Sequence, residues 1–286
     1  MTKKMHVLAP AKINRFLHIT GQRPDGYHLL QTVFQLINLC DEISLNCTNN
    51  GEITRINGAQ SVLADDDLVV KAAKLLQKTT KTELGCEISL TKNIPMGAGL
   101  GGGSSDAASV LWGLNELWGT GLNRAKLMEL GLELGADVPF FLLGQNAFAE
   151  GVGELLSPIN LPQSTVFIIY PQVNIPTVDI FKSPDLTRNH PTVTISDFIG
   201  SPNLEQFGCN DCEKVVVQKY QAVADAIEWL SQKAPSSSPR MSGSGSSVFA
   251  ILDQDTANQL LKQLPNQWLG FVAEGLNKHP SYNPSS

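Results

Sequence analysis

Five glycines fall within seven positions between Gly97 and Gly103, directly before a run of apolar residues with helical spacing. Glycine loses more conformational freedom on folding than any other residue, so a cluster this dense requires a structural reason. Close approach of bare backbone to a ligand is one such reason, because free N–H groups at a helix N-terminus form a site for phosphate. The segment therefore predicts a loop that runs into a helix and holds a nucleotide.

Other kinds of glycine-rich segment fit this loop less well. A Walker loop is excluded because no lysine follows the glycines. A Rossmann fingerprint is formally present at Gly97, Gly99 and Gly102. However, the preceding residues 92–95 are not a clean buried strand, and no strand-ending acid follows about 20 residues later. A flexible linker is disfavoured because Pro95 stiffens the entry and a helix follows at once.

The strength of anion binding by such a loop comes mainly from its amides. A helix macrodipole contributes only about 0.3–1 kcal/mol, whereas each hydrogen bond to a charged group contributes about 1.5–3 kcal/mol. Several convergent N–H groups therefore outweigh the dipole. Ser104 and Ser105 follow the glycines, and their hydroxyls either cap the helix or bind a phosphate oxygen or magnesium ion. The sequence leaves these roles open.

Length and charge narrow the function classes. A chain of 286 residues is about twice a typical domain, and we predict two domains, 1–158 and 159–286. The net charge is −6, and no basic stripe is visible, which disfavours nucleic acid or an anionic membrane as the main partner. The five cysteines are scattered, which favours a reducing compartment over a disulfide framework. No apolar stretch has the length of a membrane span, so we expect a cytoplasmic protein.

Hydrophobic patterning predicts an α+β architecture. Strands dominate the first ninety residues, where Gly21-Gln-Arg-Pro-Asp-Gly26 forms the turn between two of them. Apolar residues with three- and four-residue spacing predict helices later in the chain. Helices are predicted at 67–78, 104–118, 124–134, 211–220, 222–233 and 256–264, and strands at 42–47, 86–91, 166–170, 248–252 and 269–273. The segment 184–202 is rich in Pro, Ser, Thr and Asn and is predicted to be a loop.

Two further motifs flank the glycine loop. Ala9-Pro-Ala-Lys-Ile-Asn14 lies near the start, and Met241-Ser-Gly-Ser-Gly-Ser-Ser-Val-Phe249 lies near the end. With three ordered motifs the chain resembles the GHMP kinases, the superfamily of galactokinase, homoserine kinase and mevalonate kinase. Other segments extend the resemblance to the members that phosphorylate a cytidine diphosphate-linked substrate. These segments are Pro10–Asn14, Gly21–His28, Leu134–Phe140, Ala149–Gly153, Ile175–Thr177 and Asn210–Glu213.

The resemblance implies a fold, cofactors and a reaction. The fold is that of GHMP kinases, an N-terminal ribosomal-protein-like α/β domain followed by a C-terminal ferredoxin-like α/β domain. ATP and Mg²⁺ are the implied cofactors, and the γ-phosphoryl group goes to the 2-hydroxyl of cytidine diphosphate-linked methylerythritol, a step of the non-mevalonate isoprenoid pathway. We expect a monomer or a weak homodimer. The implied ATP-binding residues are Pro95, Met96, Gly97, Ala98, Gly99, Leu100, Gly101, Gly102, Gly103, Ser104 and Ser105.

Lys12 and Asp137 are the predicted catalytic pair. Asp137 follows a helix and has apolar neighbours, so its carboxylate is either a helix cap or a site group in a dry pocket. Lys12 lies in an apolar strand, where a lysine is destabilising unless it is paired or snorkels from an edge strand. The resemblance makes Asp137 the general base. It makes Lys12 the partner of that base and the group that polarises the acceptor oxygen.

The resemblance also implies a substrate pocket. Tyr27 would stack on the cytosine, and His28 would contact the edge of the base. Phe181 would cover the opposite face, although a phenylalanine in a mixed segment is also typical of a core. Thr177 and Asn14 would hold polar groups of the substrate. Stacking of this kind contributes about 1–3 kcal/mol per base.

Two alternatives to this function stay open, together with two departures from the family pattern. Another GHMP kinase, such as homoserine kinase, would share the loop and the catalytic pair but would not recognise cytidine. A non-catalytic nucleotide sensor would bind ATP without turnover, and is disfavoured because Lys12 and Asp137 are both present. One departure is the stretch Ser236–Pro239 before the third motif, which is longer than expected; the other is Arg15, which stands where an aliphatic residue is expected. We expect its side chain to point away from the core or toward a phosphate.

Overall fold

The computed structural model describes residues 3–58 and 63–282. Within these ranges the chain forms ten strands and nine α-helices, with one 3₁₀ turn at Ala64–Asp66. The strands are β1 Lys4–Gln22, β2 His28–Thr48, β3 Ile53–Arg55, β4 Gly85–Thr91, β5 Ala147–Glu150, β6 Leu155–Pro158, β7 Thr165–Tyr170, β8 Arg240–Met241, β9 Val248–Leu252 and β10 Leu269–Leu276. The helices are α1 Leu68–Thr80, α2 Gly102–Trp118, α3 Arg124–Leu134, α4 Val138–Leu143, α5 Thr177–Phe181, α6 Ile195–Ile199, α7 Glu213–Lys219, α8 Gln221–Lys233 and α9 Gln254–Gln263.

β2 is the centre of the sheet. It pairs antiparallel with β1, β4, β5 and β10, and the main path through the sheet is β3-β4-β2-β10-β7-β9-β8. The pairing of β1 with β2 shifts register between Asn14 and Leu17. Such irregularities bend a strand and redirect its side chains, and they are common next to functional sites. This shift falls two residues after Lys12.

Helices cover the sheet in two groups. α1 to α4 pack on β1, β2 and β4 around a large apolar cluster, while α7, α8 and α9 pack with β7 and β9 around a second one. A smaller cluster lies between them and includes Ala98 and Leu100 from the glycine loop together with Val166 and Ile168 of β7. The loop is therefore anchored where the two helical groups meet.

Most of the predicted elements are confirmed, with differences in extent. The predicted strand 42–47 is the second half of β2 rather than a separate strand. The prediction of a loop over 184–202 is partly wrong, because α6 begins there behind a capping box formed by Thr194 and Asp197. Patterning did not predict β5, β6 or α4, which are only four to six residues long. No helix in the described parts of the chain is long and apolar enough to cross a membrane.

The prediction for Arg15 is wrong. Its side chain is buried and donates from Nη1 to Oε1 of Gln35 on β2 at 3.0 Å. Its backbone carbonyl accepts a hydrogen bond from the guanidinium of Arg240 at 2.7 Å. Burial lowers the pKa of Arg15 to about 10, an effect that the nearby Glu205 opposes. Arg15 therefore helps to join β1 to β2 and β8 and does not face a phosphate.

Candidate active site

The glycine loop alternates between two backbone conformations. Gly97, Gly99 and Gly101 have φ values of 64°, 74° and 73°, in the left-handed region that side chains disfavour. The residues between them, Ala98 and Leu100, bury their side chains in the core. The alternation therefore holds the loop by its apolar residues and leaves the glycine backbone on the outer side.

Carbonyls of this loop are used to fix it in place. The backbone N–H of Lys12 donates to the carbonyl of Leu100 at 2.9 Å, and that of Ser247 donates to Ala98 at 3.0 Å. In the described parts of the chain, no acceptor takes a hydrogen bond from the amides of Gly97, Gly99 or Gly101. The loop thus presents donors and hides acceptors, as an anion site requires.

The third motif forms a second glycine turn against the first. A Cβ added to Gly99 would lie 2.2 Å from the carbonyl oxygen of Ser242, so only glycine fits there. Asn210 holds this second turn, donating from Nδ2 to the carbonyls of Met241 and Gly243, both at 2.8 Å. The carboxylate of Glu213 accepts from the backbone N–H of Met241 at 2.7 Å. The Asn210–Glu213 segment is thus a clamp on the second turn.

The start of α2 is not capped by a side chain. Gly101 is the N-cap residue, so capping by Ser104 or Ser105 is ruled out. Ser105 is fully buried, and its hydroxyl has no hydrogen-bond partner among the residues described. Ser104 lines the cavity of about 440 Å³ that the loop borders. Of the two hydroxyls, that of Ser104 is the one placed to meet a ligand.

Lys92, Asp41 and Asp106 form a buried ion triad that supports the glycine loop. Lys92 contacts Asp41 and donates to Oδ2 of Asp106 at 2.7 Å, which joins the end of β4 to β2 and α2. Oδ1 of Asp41 also accepts from the backbone N–H of Ile94 at 2.8 Å. Burial raises the pKa of Asp106 to about 8, because the attraction of Lys92 only partly offsets it. The sequence carried no signal for this triad, whose members are distant in the chain.

Lys12 and Asp137 meet across the centre of the site. Nζ of Lys12 lies 3.7 Å from Oδ2 of Asp137. The ammonium donates to Oδ1 of Asn14 at 2.5 Å and to the carbonyl of Gly99 at 3.0 Å. Burial lowers the pKa of Lys12, and the charge of Asp137 opposes that shift. The pairing excludes a snorkelling role, since Lys12 is buried on a paired strand.

Asp137 stands at the N-cap position of α4 but does not cap it. Its side chain accepts no capping hydrogen bond, so the interpretation of Asp137 as a structural cap is wrong. The carboxylate is one third exposed, at 35%, and lines a central cavity of about 290 Å³ together with Lys12, Gly99 and Gly101. A partly exposed carboxylate beside a buried ammonium is suited to accept a proton from a ligand hydroxyl.

Asn14, a predicted substrate-binding residue, lines the central cavity. It is buried, and besides accepting from Lys12 it donates from Nδ2 to Oγ1 of Thr32 at 3.0 Å. Both ends of its amide are therefore engaged within the protein. Thr177 is exposed at the start of α5 and shares a hydrogen bond of 2.8 Å with Ser244 of the second glycine turn.

The predicted aromatic residues surround an outer cavity of about 770 Å³. Tyr27 is 63% exposed at its rim. The rings of His28 and Phe181 are 5.1 Å apart and tilted by 45°. Phe181 also packs against the second apolar cluster, so it is both a core residue and a wall of the cavity. The structure thus brings all three predicted residues to one pocket.

Sequence reasoning missed one residue of this pocket. Arg188 lines the cavity and donates from Nε to Nε2 of His28 at 3.0 Å. It lies in the segment that was predicted to be a loop, 160 positions from His28, and a lone arginine in a Pro- and Asn-rich segment gives no signal of its role.

The cavities form one continuous groove. The loop cavity and the central cavity share Gly97, Gly99 and Gly101. The central and outer cavities share Ala136, Val152, Thr177 and Phe181, among others. The Lys12–Asp137 pair therefore lies between a glycine loop suited to phosphate and a pocket with aromatic walls.

A second cluster of chemically active side chains lies outside this groove. Potential ligand atoms of His18, His190 and Cys209 are within 4.8 Å of one another. The two imidazole rings are stacked, with centroids 3.6 Å apart and planes 12° from parallel. Stacked rings direct their in-plane lone pairs along parallel planes, so the pair does not converge on one metal ion. We interpret the cluster as packing between β1 and the segment around residue 190.

Comparison with known proteins identifies the family. The family model described as "GHMP kinases N terminal domain" matches residues 67–145, and the model described as "GHMP kinases C terminal" matches residues 201–269. The chain belongs to the GHMP kinases. Relatives named 4-diphosphocytidyl-2-C-methyl-D-erythritol kinase support this. The protein from Polynucleobacter asymbioticus is 54% identical, covering 96% of this chain and 94% of the relative. The protein from Ralstonia nicotianae is 52% identical, with coverages of 95% and 94%.

Solved structures agree with this assignment. A crystal structure of 4-(cytidine 5'-diphospho)-2C-methyl-D-erythritol kinase matches this GHMP kinase with a TM-score of 0.82 and 31% identity, covering 95% of this chain and 99% of the other. Homoserine kinase from Cytophaga hutchinsonii matches with a TM-score of 0.70 at 19% identity, with coverages of 98% and 96%, which shows a shared fold alone. The predicted GHMP kinase fold is confirmed, and the chain is a small-molecule kinase that uses ATP as phosphate donor.

Proposed function

We propose that this GHMP kinase phosphorylates the 2-hydroxyl of 4-diphosphocytidyl-2-C-methyl-D-erythritol. One observation carries the proposal: the groove joins the phosphate-suited loop, the Lys12–Asp137 pair and the pocket of Tyr27, His28 and Phe181 in that order. A nucleotide-linked acceptor with its base in the outer pocket would extend its sugar alcohol toward Asp137. The relatives' name for their substrate supports the same assignment.

The donor side of the reaction uses residues 95–105. The free amides of Gly97, Gly99 and Gly101 hold the phosphates of ATP, and they stabilise the charge that develops on the equatorial oxygens during transfer. Ser104 fits a role as ligand of Mg²⁺, because its hydroxyl lines the loop cavity and does not cap the helix. When bound, the ion neutralises charge on the β- and γ-phosphates.

On the acceptor side the two catalytic residues divide the work. Asp137 takes the proton of the acceptor hydroxyl, and Lys12 stabilises the negative charge that grows on that oxygen. Asn14 acts on the acceptor through Lys12, since it holds the ammonium through Oδ1. Thr177 stands at the junction of the central and outer cavities, where a substrate diphosphate would pass.

A direct assay tests this function. Purified protein with ATP, Mg²⁺ and the cytidyl substrate is expected to release ADP, and CDP is expected to compete with that substrate. Turnover of homoserine without inhibition by CDP would assign the chain to a different GHMP activity. Binding of ATP without turnover of either acceptor would instead indicate a nucleotide sensor.

A further inference from the structure

The guanidinium of Arg188 is the hub of the loop that follows α5. It donates from Nη2 to the carbonyls of Phe181 and Ser183 at 3.0 and 2.8 Å, and from Nη1 to the carbonyl of Leu186 at 3.1 Å. The loop 181–188 is thereby folded around one side chain. A further donor, Nε–H, leaves this loop and reaches Nε2 of His28 at 3.0 Å.

This contact determines where the proton of His28 lies. Arginine is a donor only, so Nε2 of His28 must be the acceptor, and a neutral imidazole then carries its proton on Nδ1. Protonation of both nitrogens would set two donors against each other. Burial first, and then the charge of Arg188, lowers the pKa of His28 in accordance with this arrangement.

The same side chain holds the two aromatic walls together. Arg188 binds the carbonyl of Phe181 with one nitrogen and the ring of His28 with another, and these two rings are 5.1 Å apart. A lysine cannot reproduce this, because a single ammonium lacks the planar fork that serves several acceptors at fixed angles. Loss of Arg188 would free both the ring and the loop.

We propose that Arg188 is a positioning residue of the base pocket, which fixes His28 as a hydrogen-bond donor through Nδ1 and so favours cytosine over uracil. The inference rests on the proposed function, because it concerns the same pocket. A ring fixed as a donor pairs with a ligand edge that offers an acceptor. Both bases have carbonyl acceptors, but N3 is an acceptor in cytosine and carries a hydrogen in uracil. A donor directed at N3 of the base therefore fits cytosine and opposes uracil.

Nitrogen NMR of the ligand-free protein tests the first step. In the wild type, His28 is expected to show a protonated Nδ1 and an unprotonated Nε2, with the signals assigned by comparison with His28→Asn. In Arg188→Met a mixture that includes the Nε2-protonated tautomer is expected. Lys182→Met is the matched control, because it removes another cation that lines the cavity and is expected to leave the tautomer unchanged. An unchanged tautomer in Arg188→Met would overturn the proposal.

Binding of CMP and UMP, measured by calorimetry, tests the second step. Arg188→Met is expected to weaken CMP binding by about tenfold, the loss of one hydrogen bond, and to weaken UMP binding less. In kinetics the KM for the cytidyl substrate rises, while kcat and the KM for ATP stay within about twofold. If Arg188 had a purely structural role, Arg188→Met would lower stability but leave the ratio of CMP affinity to UMP affinity unchanged. That outcome would overturn the proposal.

Arg188→Lys provides a second variant if Arg188→Met does not fold. Its ammonium can serve one or two loop carbonyls but not His28 as well, so the same tautomer mixture is expected. A wild-type protein that does not bind CMP would count against the proposed substrate. The nitrogen spectrum would still decide the link between Arg188 and His28, since it is recorded on the free protein.

Discussion

Nζ of Lys12 lies 3.7 Å from Oδ2 of Asp137, yet the two side chains differ greatly in exposure, at 4% and 35%. The lysine is fixed by Asn14 and by the carbonyl of Gly99, so its charge is immobile and largely desolvated. The aspartate is held by no helix cap and opens into the central cavity. This asymmetry assigns the electrostatic role to the lysine and the proton transfer to the aspartate.

We predict that Asp137→Asn and Lys12→Met each lower kcat by about 10²–10³-fold, as the loss of one preorganised electrostatic group commonly does. The double variant is expected to lose much less than the product of the two effects, because the residues act as one unit. Steady-state kinetics at saturating ATP measures this. Near-normal turnover of Asp137→Asn would exclude it as the base.

Gly99→Ala is predicted to damage ATP binding more than stability alone explains. The substitution strains a backbone with φ of 74° and sets Cβ 2.2 Å from the carbonyl of Ser242, so the loop or the second glycine turn must move. Strain of this kind costs about 1–3 kcal/mol, and we expect ATP affinity to fall more than tenfold.

Gly121→Ala is the matched control for that variant. Gly121 has a similar φ of 69°, but no atom lies within 4 Å of an added Cβ. We expect a smaller loss of unfolding free energy, from the strained backbone alone, and unchanged ATP affinity. Equal ATP affinities in the two variants, measured by calorimetry, would contradict a phosphate-binding role for the loop.

The site was predictable from sequence to the extent that its signals are local. The segment from Gly97 to Ser105 indicates a ligand because so dense a glycine cluster before a helix is costly without close approach of the backbone to another group. Lys12 and Asp137 stand out because each charge has apolar neighbours. Arg188 and the Lys92 triad are functional through partners far along the chain, so no window of sequence contains their signal. The division at residue 158 stays a prediction.

Local sequence patterns also could not predict the shortest helices and strands or the register of strand pairing. α4 and β5 are four to six residues long, and so contain too few turns or alternations to show a period. The burial of Arg15 depends on the register shift between Asn14 and Leu17, because a one-residue change in register reverses the face on which a side chain lies.

Asp106→Asn is predicted to reduce the pH dependence of stability between about pH 4 and pH 8. The folded-state pKa of about 8 lies above the ordinary value of about 3.9, so the native state binds the extra proton. The stability that this bound proton contributes to the native state is fully present below pH 4 and is lost as the pH rises through 8. Urea unfolding of both proteins at pH 5 and pH 8 measures the difference.

Asp41→Asn serves as the contrasting variant. Asp41 accepts from Lys92 and from the backbone of Asn93 and Ile94, so its charge is used by three donors. We expect a loss of about 3–5 kcal/mol, as for breaking a buried ion pair. A larger loss of unfolding free energy for Asp106→Asn than for Asp41→Asn would contradict the assignment of Asp41 as the charged partner of Lys92.

Tyr27→Ala is predicted to raise the KM for the cytidyl substrate with little change in stability. The ring is mostly exposed, so its removal leaves no cavity in the core, whereas loss of base stacking costs about 1–3 kcal/mol. Tyr27→Phe keeps the ring and is expected to retain a KM close to the wild type. If both variants raise KM equally, the hydroxyl rather than the ring makes the contact.

Asn210→Asp is predicted to disturb the second glycine turn. The substitution keeps the side-chain shape and the acceptor for the N–H of Cys212, but it removes the amide that donates to Met241 and Gly243. Two buried carbonyls then face a carboxylate, and we expect a loss of about 2–4 kcal/mol, since each unsatisfied buried group costs about 1–3 kcal/mol. Because Gly243 lines the central cavity with Lys12, kcat should fall as well.

Asn203→Asp is the control for this variant. The side-chain oxygen of exposed Asn203 accepts a hydrogen bond from the N–H of Glu205, and an aspartate retains that acceptor. Thermal unfolding and kcat of both variants test this, and equal behaviour of the two would show that Asn210 does not hold the turn.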